Sequence, residues 1–119
     1  MKKTLIIGAS TNPERYAYKA ANMLVAHKHD IVLLGIREGE LLGQIIHTDK
    51  PVFDDIDTIT LYVGVKNQPE WYDYILQTKP KRLIFNPNTE NDELKALAEA
   101  NNIQTEYACT LVLLASGQY

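Results

Sequence analysis

The chain has 119 residues, 45% hydrophobic and 23% charged, with a net charge of -3. That length supports one well-buried core over residues 1–119, without room for a cofactor domain beside a substrate domain. The acidic balance argues against nucleic acid or an anionic membrane as partner, and no apolar run approaches the ~20 residues that cross a bilayer.

The first apolar run, Leu5–Ile7, follows Lys2 and Lys3. It ends far short of the ~7–15 apolar residues of a signal peptide, so a cytoplasmic protein is expected. Further β-rich runs follow at Ile31–Leu34, Ile59–Val63, Leu83–Phe85 and Ile103–Thr105. They are continuous rather than alternating, which suits strands buried on both faces of a parallel sheet. Helical spacing separates them. Ala17, Ala20, Ala21, Leu24 and Val25 make one stripe. Trp71, Tyr74, Ile75 and Thr78 make a second, with Asn67 as cap and Pro69 in the first turn. A third helix is expected in "NTENDELKALAEANN", with Leu94, Leu97 and Ala98 on its inner face, and Leu111–Ala115 is a short final helix or a tail. The stretch "GIREGELLGQIIHTDKPVFDDIDT" breaks the rhythm with three glycines, a proline and clustered acids. It reads as loop with room for a short strand at Gln44–His47. The expected fold is a three-layer α/β domain of Rossmann-like type with a five-stranded, mainly parallel sheet. Its ligand belongs beyond the carboxyl ends of the strands.

Cys109 is the sole cysteine, so no internal disulfide can form. A structural thiol is the expected reading, since no paired histidine stands beside it. His27, His29 and His47 make no metal-ligand spacing with it.

The first strand runs into "GASTNPER". A dinucleotide fingerprint needs glycine at the first, third and sixth places, where this loop has Gly8, Ser10 and Pro13. A Walker loop ends in Gly-Lys-Ser/Thr, where this one has Pro13, Glu14 and Arg15. What remains still suits an anion. Gly8 permits a sharp turn, Ser10, Thr11 and Asn12 bring small polar groups, Pro13 can start a helix without a spare donor, and Arg15 adds a fixed cation. An ordinary βα turn with a solvated arginine is the plain alternative.

Taken together, several blocks carry a family resemblance. "IIGASTNPERYAYKAANML", "DIVLLGIREGELLGQIIHTD", "ITLYVGVKNQPEWYDYIL", "KRLIFNPNTENDELKALAEANNI" and "EYACTLVLL" resemble, in order and spacing, the small stand-alone CoA-binding proteins. Those are related to the CoA-binding domain of the succinyl-CoA synthetase alpha subunit. The chain departs from that pattern at Gly35-Ile36-Arg37, Gly64-Val65-Lys66, Asn86-Pro87-Asn88 and after Cys109.

The resemblance implies coenzyme A or an acyl-CoA as ligand. Gly8 and Ser10 to Pro13 would line the pyrophosphate, with Arg15 as supporting cation. Arg37 would reach the 3′-phosphate or the pyrophosphate, with Lys66 as a similar but weaker candidate. Val63, Gly64 and Val65 would wall the adenine, and Asn86, Pro87 and Asn88 would edge the cleft. Tyr16 and Tyr18, two apart, cannot share one helix face, so one packs while the other lines the cleft. Trp71 is expected in the core or on an oligomer surface. The phosphohistidine segment of succinyl-CoA synthetase has no counterpart, so the resemblance implies a non-catalytic carrier, sensor or regulatory partner, with a protein partner or a homo-oligomer as its context. Two readings stand beside it: an NAD(P)-binding redox enzyme or sensor, in which Arg37 serves a 2′-phosphate, and a relic of the fold acting through protein contacts.

Overall fold

The computed structural model describes residues 1–119. Seven strands form one sheet in the order β3-β4-β2-β1-β5-β6-β7. They are β1 (Thr4–Ile7), β2 (Ile31–Leu34), β3 (Glu40–Leu41), β4 (Gln44–His47), β5 (Thr58–Leu61), β6 (Arg82–Phe85) and β7 (Gln104–Tyr107). All pairings are parallel except β3 with β4. β1, β2, β5 and β6 are buried along their whole length. Burial at every position, with polar side chains only at strand starts and at Thr60, is the mark of strands covered on both faces.

The sheet therefore has seven strands and is mixed, not five-stranded. The two additions lie within the stretch read as loop, where β4 occupies Gln44–His47. A two-residue turn, Leu42 and Gly43, joins β3 to β4 with φ of +55° and +78°. Positive φ at both central residues is the hairpin geometry that matches strand twist. β3 is two residues long, too short to show any periodicity.

Helices α1 (Tyr16–Ala26) and α4 (Thr110–Ala115) cover one face of the sheet, while α2 (Tyr72–Thr78) and α3 (Asp92–Ala100) cover the other. Strand residues of alternate parity feed the two cores, Leu5 and Ile7 packing toward α2 and α3, Ile6 toward α1 and α4. Three details of the helices differ from the sequence reading. Val25 and Leu97 fall outside their buried stripes. Asn67 ends a short 3-10 turn (Val65–Asn67) instead of capping a helix, and Pro69 opens a second one, Pro69–Trp71. No helix separates β4 from β5; residues 48–57 cross the α2 face as an extended strap, pinned where the Tyr74 hydroxyl donates to the Pro51 carbonyl at 2.6 Å.

The amino-terminal end of the sheet is closed by a polar clamp. Arg82, at the start of β6, donates to Thr58 Oγ1 and to the Glu106 carboxylate, each at 3.1 Å, and lies 4.4 Å over the Tyr119 ring. Tyr119 also meets the Thr4 hydroxyl at 2.5 Å and stands edge-on to His29, 4.9 Å between centroids. His29 Nδ1 accepts the Lys2 backbone N–H at 2.9 Å. Burial, then the positive charges of the Met1 amino group, Lys2, His27 and Arg82, hold the His29 pKa below 6.5. A lowered histidine pKa means that the fold favours the neutral ring. Its contribution to stability is present above about pH 6.5 and is lost as pH falls through the folded-state value. Melting temperatures followed downward from pH 8 should therefore drop more steeply below pH 6.5 in the parent protein than in His29→Asn, which has no proton to gain. Parallel curves would show that this ring does not sense pH.

Candidate functional site

A cleft of about 850 Å³ opens at the carboxyl ends of the inner strands, where the chain leaves β1, β2, β5 and β6. β1 connects to β2 on one side while β5 lies on the other, so this is the point where the strand order reverses. Chain ends diverge at such a point and leave a crevice.

Its first wall is the loop after β1. Gly8 and Ala9 both donate their N–H groups to the Leu34 carbonyl, at 2.9 and 2.8 Å, which binds the start of the loop to the end of β2. Gly8 has φ of +97°, and a Cβ there would lie 3.0 Å from the Tyr62 carbonyl carbon and oxygen. No other residue fits that turn without moving β5. Beyond it the loop closes on itself, with Asn12 N–H donating to Ser10 Oγ and Glu14 N–H to Asn12 Oδ1, both at 3.0 Å.

α1 then begins without a side-chain cap and without an acid in its first turn. The N–H groups of Tyr16, Ala17 and Tyr18 meet no acceptor within the chain. α3 shows the ordinary alternative: Asn91 Oδ1 accepts from Glu93 N–H and Leu94 N–H, and Asp92 and Glu93 occupy its first turn. An uncapped helix start carries roughly half a positive charge on exposed N–H groups, and here Tyr16 and Ala17 line the cleft. Arg15 and Arg37 line it too, and neither is among the chain's four ion pairs, whereas Arg82 is paired.

The second wall is the loop after β2. A Cβ on Gly35 would fall 2.7 Å from the Ala9 carbonyl oxygen, and one on Gly39 would fall 2.8 Å from Thr11 Cγ2. The two loops thus meet backbone to backbone at Gly35 and on the Thr11 side chain at Gly39, with Ile36, Arg37 and Glu38 exposed between the glycines.

Two buried carboxamides hold the opposite wall. Gln68, with no exposed surface, donates to the Val63 carbonyl at 2.9 Å and the Thr89 carbonyl at 2.8 Å, and accepts from Asn91 at 2.8 Å. It ties the loop after β5 to the loop after β6. Asn86 donates to Thr60 Oγ1 at 2.7 Å and the Leu61 carbonyl at 3.0 Å, and accepts the Thr110 N–H at 2.9 Å. It joins β5, β6 and the start of α4. Thr60 and Thr110 share a further hydrogen bond of 2.7 Å. The Tyr62 hydroxyl is enclosed beside them without a partner, and burial pushes its pKa up.

Of the candidates named from sequence, Gly8, Ser10, Thr11, Asn12, Arg15, Arg37, Val63, Gly64, Pro87 and Asn88 line this one cleft. Pro13, Val65, Lys66 and Asn86 do not. Pro13 is exposed at the outer side of its loop, and Val65 and Lys66 are exposed on the 3-10 turn. Asn86 faces inward, and its bonds are spent on the fold. Of the tyrosine pair, Tyr16 lines the cleft at 67% exposure while Tyr18 packs against the core. Trp71 is buried with one edge on the cleft, and Lys50 stands over its ring at 4.3 Å. Sequence reasoning missed Ile36, Glu38, Tyr62, Glu70 and Thr89 as wall residues. Ile36 and Glu38 stand in the loop after β2 and Tyr62 directly follows the end of β5, which was the available signal.

The family model described as "CoA binding domain" matches residues 2–115. The chain belongs to the CoA-binding domain family. A crystal structure of an uncharacterized protein is 48% identical, with a TM-score of 0.98, and the match covers 100% of this chain and 98% of that one. A hypothetical protein from Pyrococcus horikoshii OT3 is 26% identical with a TM-score of 0.83, covering 93% and 80%. A quarter of a larger enzyme shares the fold: the dinucleotide forming acetyl-coenzyme A synthetase 1 of Ca. Korarchaeum cryptofilum, at 16% identity and a TM-score of 0.75, with 90% of this chain and 25% of that one covered. No curated protein matches this chain. No helix is long and apolar enough to cross a membrane.

The Gln68 junction makes a direct prediction. Gln68→Leu keeps the volume but strands two buried carbonyls and one amide, each worth ~1–3 kcal/mol when unpaired. Urea denaturation should show a loss of at least ~3 kcal/mol, and a loss under ~1 kcal/mol would mean that the junction does not organise the wall.

Proposed function

We propose that this chain is a small CoA-binding protein, non-catalytic by itself, that holds CoA or an acyl-CoA with the pyrophosphate on the loop Gly8–Arg15. The observation that carries the reading is the start of α1: three unpaired N–H groups, no acid and no side-chain cap, beside a glycine turn and an unpaired arginine. A pyrophosphate offers the acceptors and the negative charge that this arrangement lacks. Membership in the family supports CoA as the source of that pyrophosphate. The remaining volume suits an extended ligand, with polar neutral groups at Asn67, Asn88 and Thr89 along the far wall. A cytoplasmic location follows from the same reading, because CoA is an intracellular carrier of acyl groups.

Binding costs the ligand its hydration, and the helix start returns charge-assisted hydrogen bonds at a rim that is already fixed. Arg15 adds its guanidinium as a further donor, and the preformed loop avoids ordering costs at the moment of binding.

Calorimetric titration with CoA, acetyl-CoA, NAD and NADP separates the readings. CoA or acetyl-CoA should bind best. NADP alone would point to the redox reading, and silence with all four to a protein that works through protein contacts. Two variants then locate the phosphate. Arg15→Ala removes one charge-assisted contact from an exposed side chain and should weaken CoA binding by ~1.5–3 kcal/mol, about tenfold or more, at little cost in stability. Tyr16→Asp places a carboxylate on the helix start. It should raise stability by ~0.3–1 kcal/mol while removing CoA binding, a pair of effects that misfolding cannot produce. Normal CoA affinity in both variants would take the pyrophosphate away from this loop.

A further inference from the structure

The two edges of the sheet are finished differently. β3 ends one edge with two residues and a tight hairpin, a strand too short to receive a partner. β7 ends the other with four residues, none of them buried. It contains no lysine, proline or bulge, the devices that keep an edge from pairing.

One side of β7 is spent on β6. Gln104 N–H donates to the Lys81 carbonyl and Ala108 N–H to the Phe85 carbonyl, both at 3.1 Å, with Glu106 in register between them. Backbone groups alternate in direction along a strand, so Thr105 and Tyr107 turn their N–H and C=O groups outward, and Ile103 its carbonyl. No strand stands on that side. The neighbouring side chains are drawn back over α3 and leave the row clear: the Tyr107 hydroxyl donates to Asp92 Oδ1 at 2.5 Å, and the Thr105 hydroxyl to Glu99 Oε2 at 2.6 Å.

We propose that β7 pairs antiparallel with β7 of a second copy of this chain about a two-fold axis, joining the two sheets into one. Side-chain direction and charge choose the register. Residues facing each other across such an axis share a face, so an axis at the middle of the strand passes at Thr105 or at Glu106. At Glu106 it would set two carboxylates directly opposite each other, which is unfavourable. At Thr105 it sets Gln104 opposite Glu106 of the second copy, where the exposed carboxamide can donate to the carboxylate. Glu106 Oε2 is held by Arg82 at 3.1 Å, and its other oxygen is left to accept.

The Thr105 register also satisfies the backbone. The two Thr105 residues exchange N–H and C=O, and each Tyr107 N–H meets the Ile103 carbonyl of the other copy. Ile103 N–H needs no partner there, since it already donates to the Ala98 carbonyl at 3.0 Å. The paired strands run in opposite directions, so the two clefts open at opposite ends of the joined sheet. The proposal is therefore independent of what the cleft binds.

The test is sedimentation equilibrium of the intact chain over a concentration series, with Gln104→Glu, Gln104→Lys and Thr105→Pro alongside. The parent should move from the mass of one chain, 13.5 kDa, toward twice that mass as concentration rises. Gln104→Glu places like charges across the pair twice in each dimer and should raise Kd about fivefold, while Gln104→Lys places opposite charges there and should lower it by a similar factor. Position 104 is exposed, so neither change should alter the melting temperature of the monomer. Thr105→Pro removes a donor that the monomer does not use and should abolish the dimer. The Gln104 pair decides the matter even where proline disturbs the strand. Hydrogen exchange at Thr105 and Tyr107 should slow as the parent is concentrated. A chain that stays monomeric to roughly millimolar concentration overturns the proposal. A dimer indifferent to all three substitutions overturns it too, as does one weakened equally by both charges at position 104.

Discussion

The approach of the first loop to β5 governs the site. Gly8 turns at φ of +97° with the Tyr62 carbonyl 3.0 Å from where a Cβ would be. That contact lets the chain leave β1 between its neighbours instead of over them. It sets the direction of the loop, hence the place where α1 begins and where its free N–H groups point. Any side chain at position 8 must either shift β5 or swing the loop out of the crevice. The glycine at 35 repeats the constraint one strand away, where the backbone of the second loop comes against the Ala9 carbonyl oxygen of the first. Backbone contact is the least adjustable packing available, because no rotamer can give way.

The two ends of the sheet are built from different chemistry. At the carboxyl end the polar groups split into two sets. Gln68, Asn86 and Asn91 spend their hydrogen bonds inward on carbonyls, hydroxyls and one another. The donors at the start of α1 and the guanidiniums of Arg15 and Arg37 stay unspent. A wall of satisfied amides is what allows unsatisfied donors to remain aimed at one place. At the amino end, by contrast, Arg82 is buried with Glu106, Thr58 and the Tyr119 ring around it. Arg82 is the buried member and Glu106 is a third exposed, so the pair adds little net stability, while loss of Glu106 would leave the guanidinium short of its partner. One end leaves its donors free; the other closes on its own charges.

Much of this was legible in the sequence, for identifiable reasons. β1, β2, β5 and β6 stand out because strands buried on both faces are mostly apolar, with the threonines at 58 and 60 and Arg82 admitted only where hydrogen bonds satisfy them, and the helices because their buried positions recur every three or four residues. β4 was legible as a short strand at Gln44–His47, but β3 and the hairpin that joins it to β4 were not. Two residues of strand carry no period, and Leu42 occupies a left-handed position where Asn or Asp would have announced the turn. In the site, glycines at strand ends and the arginines could be read because their chemistry has few other uses there. Asn86 misled: an asparagine at a strand end looks the same in sequence whether its carboxamide faces ligand or core. Gln68 gave no sign, since a glutamine in a polar turn is usually solvated and only the fold shows it buried. What sequence could not supply was the direction of polar side chains, which is decided by contacts between distant segments.

The strap of residues 48–57 carries one more implication. It stands where a crossover helix would, yet from Thr48 to Ile56 no backbone N–H finds an acceptor in the chain. Its hold on the body comes from side chains instead: Phe53 and Ile56 on the core, Lys50 over Trp71, and the Pro51 carbonyl under Tyr74. Backbone amides of this kind exchange their hydrogens with water through local fluctuation, with no need for the sheet to open. The molecule therefore joins a hydrogen-bonded sheet to a belt whose own amides make no hydrogen bond in the chain. Because Lys50 rests on Trp71 and Glu70, both at the edge of the cleft, the belt ends against the candidate site.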